Sequence, residues 1–187
     1  SKKNTFNERR LAIVGEINSD TVMGFFEVFE RMDATTGPIT IRIVSEGGEA
    51  PAGFAIYDRI RESANPIITE GYGQVMSMAV LLFQAGDYRR ISPSTRLMLH
   101  NAAVEIQGAM GHKDFKRSSK EIKALEDIYN KIVAQRTGLT MKQLEQWCDQ
   151  ETYFGAKECL AFNLADEIIP SAEFVEKVVK GGKKGRK

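Results

Sequence analysis

Ser77 stands in Gly73-Gln-Val-Met-Ser77-Met-Ala, directly before the apolar run Met78 to Ala85, and a glycine turn, Ser45-Glu-Gly-Gly48, follows a β-branched run earlier in the chain. A hydroxyl at the start of a buried helix, close to a turn rich in free amides, is suited to nucleophilic acyl transfer. A serine hydroxyl is a weak nucleophile at neutral pH, so the chemistry requires a base in hydrogen-bond reach and a third group that fixes the base's tautomer. The chain has two histidines, His100 and His112. His100 ends the apolar strand Arg96-Leu-Met-Leu-His100, a rigid placement, whereas His112 stands where a polar helix begins; His100 is the expected base. The competing reading is a strand-end histidine bonded to a carbonyl. Asp149, in Trp147-Cys-Asp149-Gln-Glu151, follows a helix end and is the expected third member, with Glu151 as its neighbour and rival; an aspartate there also serves as a cap or a solvated charge. Gly47 and Gly48 can take positive φ and admit close approach, so the Gly48 and Met78 amides are the candidate oxyanion donors. By themselves, Gly-Gly is also an ordinary tight turn and a serine before a helix an ordinary cap.

Positioning these residues falls to alternating β and α elements. Leu11 to Gly15 reads as a short strand, and Ser19 or Asp20 as the cap of a helix bearing Val22, Phe25, Phe26, Phe29 and Met32 at helical spacing. Ile39 to Val44 is the next strand; after the glycine turn, Pro51 to Glu62 is a helix with Phe54, Ile56, Tyr57 and Ile60 on its apolar side. Pro66 to Thr69 is a third strand, punctuated by Gly71-Tyr-Gly73. The helix opened by Ser77 is so apolar that it must be interior. Strands are expected at Tyr88 to Ile91 and Arg96 to His100, and repeated β-α alternation predicts a layered α/β fold with crossover helices. A longer helix, from about Gly111 to Arg136, carries Phe115, Ile122, Leu125, Tyr129, Ile132 and Val133 on one stripe and must lie against something. Thr140-Met-Lys-Gln143 predicts a capped short helix through Trp147, and Phe154 to Ile169 a last helix and strand.

With 187 residues, 42% of them hydrophobic, the chain can bury the core of one domain, expected over residues 1–170. The 26 basic and 25 acidic side chains nearly cancel, which gives no global charge that would favour nucleic acid or an anionic membrane. Residues 171–187 are expected to form a short helix and a basic, disordered tail ending Lys180-Gly-Gly-Lys183-Lys184-Gly-Arg186-Lys187. Cys148 and Cys159 fit no metal-ligand spacing, and the polar start Ser1-Lys-Lys-Asn-Thr lacks a hydrophobic signal core. Together they predict reduced thiols in a soluble cytoplasmic protein without a structural zinc site. No apolar stretch reaches the ~18 residues of a membrane span.

Several segments, in order, resemble the proteolytic subunit of the Clp protease, within the wider ClpP/crotonase fold group. Ser45-Glu-Gly-Gly48-Glu-Ala-Pro-Ala-Gly53-Phe-Ala-Ile-Tyr57-Asp58 is similar to that family's Ser-Pro-Gly-Gly turn and following Ala-Gly-x-x-Ile-Tyr-Asp helix. Gly73-Gln-Val-Met-Ser77-Met resembles its Gly-Gln-Ala-Ala-Ser-Met nucleophile segment, and Arg96-Leu-Met-Leu-His100 its Arg-Val-Met-Ile-His strand. The resemblance covers most of Leu11 to Ile169. It implies a serine endopeptidase acting through an acyl-enzyme, with Ser77 as nucleophile, His100 as base, Asp149 as orienter and the Gly48 and Met78 amides as oxyanion hole. It implies no metal or organic cofactor. Arg136-Thr-Gly-Leu-Thr and Asp149-Gln-Glu-Thr-Tyr-Phe154 look closest to the ClpP-like proteases of bacteriophages, which adds trimming of scaffold or capsid protein during head assembly as an alternative role. In the family the helix matching 111–136 is a handle between two stacked seven-membered rings, so a homo-oligomeric chamber, a tetradecamer, is implied. Its substrates would be peptides and unfolded proteins. The chain has no Gly-x-x-x-x-Gly-Lys-Ser/Thr loop, so an AAA+ unfoldase is the partner that would handle ATP. Departures are Glu46 for the family's proline, Ala79 for a glycine, Asn101-Ala102 for Gln-Pro, and a shorter stretch from Leu144 to Phe154. Two other readings keep the fold: a crotonase-type hydratase or isomerase, and a catalytically silent ring subunit.

Overall fold

A computed structural model describes residues 9–102 and 112–170. The expected tail from residue 171 and the side chain of His112 lie outside the described residues. The chain runs β1 (Arg10–Ile17), α1 (Ser19–Asp33), β2 (Ile39–Gly48), α2 (Ala50–Glu62), β3 (Ile67–Met76), α3 (Met78–Gln84), β4 (Tyr88–Ile91), β5 (Arg96–Leu99), α4 (His112–Thr137), α5 (Met141–Asp149), β6 (Thr152–Phe154), α6 (Ala156–Ala161) and β7 (Glu167–Ile168). The strands form one sheet in the order β1-β2-β3-β4-β7, with β5 added to β3 and β6 to β5. Every pairing is parallel except β5–β6. Helical crossovers between parallel strands produce the layered α/β arrangement that β-α alternation predicts.

Period-two burial explains β2: Ile39, Ile41, Ile43 and Ser45 are buried while Thr40, Arg42 and Val44 are half-buried. The three isoleucines meet Ile13 and Ile17 of β1, Phe25 and Phe29 of α1, and Ile56 and Ile60 of α2 in one core. Fully burying each such side chain contributes about 1.5–3 kcal/mol. The cap of α1 (Ser19–Asp33) lies one residue before the first expected one. Asn18 fills the cap position: its Oδ1 accepts from the Thr21 amide at 3.1 Å and the Thr21 hydroxyl accepts from the Asn18 amide at 3.3 Å.

The largest difference from the sequence reading lies in β3. Gly71-Tyr-Gly73 does not end the strand; it bends it. The register with β2 jumps between Ile43 and Ser45, Gly73 takes φ +62°, and a Cβ on Gly71 would stand 2.9 Å from the Val75 side chain. An irregularity of this kind lets one strand serve two neighbours. Residues Ile68–Gly71 pair with β4, and Gln74–Met76 continue past its end to pair with β5. That continuation carries the chain to Ser77 beside the β5 end at Leu99.

On the opposite side, Asp33 gathers Ser63, Asn65 (2.9 Å) and Arg59 (2.6 Å), and joins the end of α1 to the end of α2. Burial raises the Asp33 carboxyl pKa, but the three donors outweigh it and bring it from 3.8 to about 2. Its side chain is only 15% exposed. A depressed carboxyl stabilises the fold above its unfolded pKa, and that contribution is lost as pH falls through the folded value. We expect Asp33→Asn to cost about 2 kcal/mol at pH 6 and almost nothing near pH 2, read from denaturant unfolding of both proteins across that range. A cost that does not shrink on acidification would remove Asp33 as the titrating group.

Candidate active site

The β3 extension, the β2 end, the β5 end and α4 enclose a cleft of about 480 Å³ whose lining includes Gly47, Gly48, Ser77, Met78, His100 and Tyr129. Ser77 sits in the turn between β3 and α3 with φ +53° and ψ −124°, a conformation that side chains rarely adopt. Such a residue persists only where neighbours fix it, and they do so here. The Ser77 amide donates to the Met98 carbonyl of β5 at 2.9 Å, and the Ser77 carbonyl accepts from the Val80 amide at 2.9 Å and the Tyr129 hydroxyl at 3.1 Å. The hydroxyl makes no capping bond to α3. Instead Ser77 Oγ lies 2.8 Å from His100 Nε2.

The glycine turn reaches the same place from β2. A Cβ on Gly47 would come within 2.8 Å of Ser77 Cβ and 3.1 Å of the Met78 amide nitrogen, so the bare backbone packs beneath the serine. A Cβ on Gly48 would stand 2.2 Å from the Ile17 carbonyl oxygen. Both glycines have positive φ, +105° and +153°. Without the family's proline, the turn is held by Ser45 Oγ, buried, which accepts from the Gly47 amide at 3.0 Å. Met78, first residue of α3, has an amide with no intrahelical acceptor. Its side chain lies over Gly53 of α2, where a Cβ would stand 2.2 Å from Met78 Cγ.

The structure thus brings Ser77, His100, Gly48 and Met78 to one cleft. Asp149 ends α5 nearby with another partner: its Oδ1 accepts from Asn101 Nδ2 at 2.6 Å. Among the described residues no hydrogen bond joins it to His100. The Asn101 amide also donates to the Cys148 carbonyl at 3.3 Å, which ties the residue after the histidine to the end of α5. Glu151 takes φ +48° and accepts from the Tyr153 hydroxyl at 2.9 Å, away from the cleft. Three participants escaped the sequence reading. Asn101 counted only as a departure from a family pattern, Tyr129 only as one member of an apolar stripe, and Glu126, which accepts from the Ala102 amide at 3.1 Å, was not singled out at all. Helical spacing places Tyr129 and Glu126 on faces but carries no signal for their hydrogen-bond partners.

Among the described residues no group of three His, Cys, Asp or Glu side chains could hold a metal ion. Both cysteines are free and buried. Burial first, then for Cys148 the nearby charges of Glu126 and Asp149, pushes each thiol up to about 12 from 9.0. Only the thiolate attacks alkylating reagents. At pH 8 we expect iodoacetamide to modify Cys148 and Cys159 about a thousandfold more slowly in the folded protein than in urea, measured by mass spectrometry.

The middle of α4, from Ile122 to Asn130, walls the cleft. Tyr129 and Val133 are buried, Ile122, Leu125 and Ile132 partly so, and Phe115 at the other end is half exposed. The stripe is therefore covered by its own chain at one end and uncovered at the other. No helix among the described residues is long and apolar enough to cross a membrane.

Residues 1–172 match the family model described as Clp protease. The ATP-dependent Clp protease proteolytic subunit 2 of Treponema denticola is 33% identical over 167 residues, covering 87% of this chain and 82% of that one. The protein of the same description from Gluconobacter oxydans is 31% identical over 175 residues, 89% and 76% of the two chains. Among solved structures, a mutant of ClpP1 from Listeria monocytogenes superposes with a TM-score of 0.80 at 26% identity, covering 90% of this chain and 95% of that one.

Proposed function

The chain belongs to the Clp protease family, and from that premise we propose that it is a serine endopeptidase whose nucleophile is Ser77. The observation that carries this reading is the 2.8 Å separation of Ser77 Oγ and His100 Nε2 in a cleft floored by the glycine turn. Nε2 takes the hydroxyl proton as Ser77 Oγ attacks the scissile carbonyl, and the carbonyl oxygen, now negative, is received by the Gly48 and Met78 amides. The same proton then passes to the departing amine, and water releases the acyl group by the reverse sequence. Asp149 is the proposed orienter of His100 Nδ1. In that role it would exchange the Asn101 bond for one to the imidazole.

The proposal extends to assembly. The uncovered end of the α4 stripe, with Phe115 50% exposed, supports a handle that packs against other subunits in stacked rings. Such a chamber admits peptides and unfolded chains, and folded substrates only with the help of an ATP-driven unfoldase. The Asp149-Gln-Glu-Thr-Tyr-Phe154 pattern supports the narrower reading of a bacteriophage-type member. Within this proposal residues 1–170 are the protease domain and 171–187 a basic tail.

The test combines a fluorophosphonate probe, peptide mapping and solution mass. The expected outcome is one phosphonylated residue, Ser77, loss of fluorogenic-peptide and casein cleavage in step with labelling, and a particle many times the 20.9 kDa chain. Cleavage that survives complete labelling of Ser77 would remove it as the nucleophile, and a monomer that cleaves would remove the chamber.

A further inference from the structure

We propose that Tyr129 is a positioning residue of the oxyanion hole, acting through the peptide plane that Ser77 shares with Met78. The inference rests on the reading of Ser77 and the Met78 amide given above. The Tyr129 hydroxyl donates to the Ser77 carbonyl at 3.1 Å. That carbonyl and the Met78 N–H belong to one trans peptide unit, and the described chain has no cis peptide. In a trans unit the two groups lie in one rigid plane and point in opposite directions, so holding the oxygen aims the amide hydrogen.

The plane has reason to need holding. Ser77 occupies a strained conformation, and α3 is only seven residues long, with its first amide as the proposed donor. The Val80 amide approaches the same carbonyl within the α3 turn; Tyr129 arrives 52 residues later in sequence, from the helix that walls the cleft. Its ring is buried, and burial keeps the phenol protonated well above its ordinary range, so it remains a donor. Donation to the carbonyl also polarises the peptide and strengthens the amide on its other side as a donor. Charge develops on the substrate oxygen only as the tetrahedral intermediate forms, so this contribution belongs to the transition state rather than to substrate binding.

Tyr129→Phe keeps the ring and removes the hydroxyl. Rates are to be normalised to active sites titrated with the fluorophosphonate, so that unfolded chains do not count. We expect kcat for a fluorogenic peptide to fall roughly five- to tenfold with KM unchanged, and the inhibition constant of a peptide boronate to rise by the same factor. Both the boronate adduct and the transition state place an oxygen in the hole, whereas the ground state does not. A merely structural tyrosine would lower the unfolding temperature while kcat per titrated site and boronate affinity stayed as in the parent, and that result overturns the proposal. Should the phenylalanine variant not fold, Tyr129→Met, which fills the site without a hydroxyl, carries the same measurements. Activity surviving in Ser77→Ala overturns the underlying reading; a dead Ser77→Ala with an unaltered Tyr129→Phe overturns only the role of the tyrosine.

Discussion

Replacing Ser77 by alanine is expected to reduce peptide turnover by about 10³-fold or more while leaving thermal stability within a few tenths of a kcal/mol of the parent. Both halves of this result follow from where the hydroxyl goes. An ordinary capping serine accepts, through its oxygen, from the first free amides of the helix it precedes, and its loss costs about 0.5–2 kcal/mol. Ser77 Oγ makes no such bond to α3 and is engaged with His100 Nε2 at 2.8 Å. Alanine therefore removes the nucleophile and one polar contact at the cleft, with the backbone anchors to Met98, Val80 and Tyr129 untouched. Casein and fluorogenic-peptide assays, beside calorimetry of the same preparation, decide it. Retained turnover points to a different nucleophile; a large drop in stability points to a capping serine.

The second large effect is expected at Gly48. Alanine there must accept φ +153° and place a methyl carbon 2.2 Å from the Ile17 carbonyl, which is strand backbone and cannot swing aside as a side chain would. Either the β1–β2 pairing opens or the turn rotates, at a cost of about 2–5 kcal/mol. Rotation withdraws the proposed oxyanion donor, and loss of one such donor reduces kcat about 100-fold or more. Gly24 supplies the control. It lies within α1 with nothing inside 4 Å of a built Cβ, so Gly24→Ala should stabilise the protein by about 0.5–1 kcal/mol with full activity. Denaturant unfolding and kcat for both variants give the comparison. A Gly48→Ala protein as stable and active as the parent would show that the turn is not needed in its present shape.

Several features of the molecule were legible in the residues before any coordinates. The alternation of apolar strands with helical stripes specified a layered α/β fold, because a period of two and a period of 3.6 bury different faces and each can be read locally. The uninterrupted apolar run of α3 announced its burial, and the TM-score of 0.80 to a ClpP1 structure agrees with the fold so read. Ser77, His100 and the glycine turn stood out because their residue types and neighbouring segments match a family pattern in order.

What only the tertiary structure decided are the partners chosen across long sequence separations. Glycines 71 and 73 read locally as a stop, yet β3 bends through them, since a strand paired on both edges gains more from continuing than two glycines cost. Asp149 was placed by its position after a helix, and its present partner, Asn101, is set by how the end of β5 meets the end of α5, 48 residues away. Tyr129 belongs to an apolar stripe by period and to the strained serine by contact, 52 residues apart. Periodicity assigns a side chain to a face, which is a local property of one element. Which hydrogen bond its polar end makes depends on the separation and tilt of two elements, and those are settled only when the whole core packs.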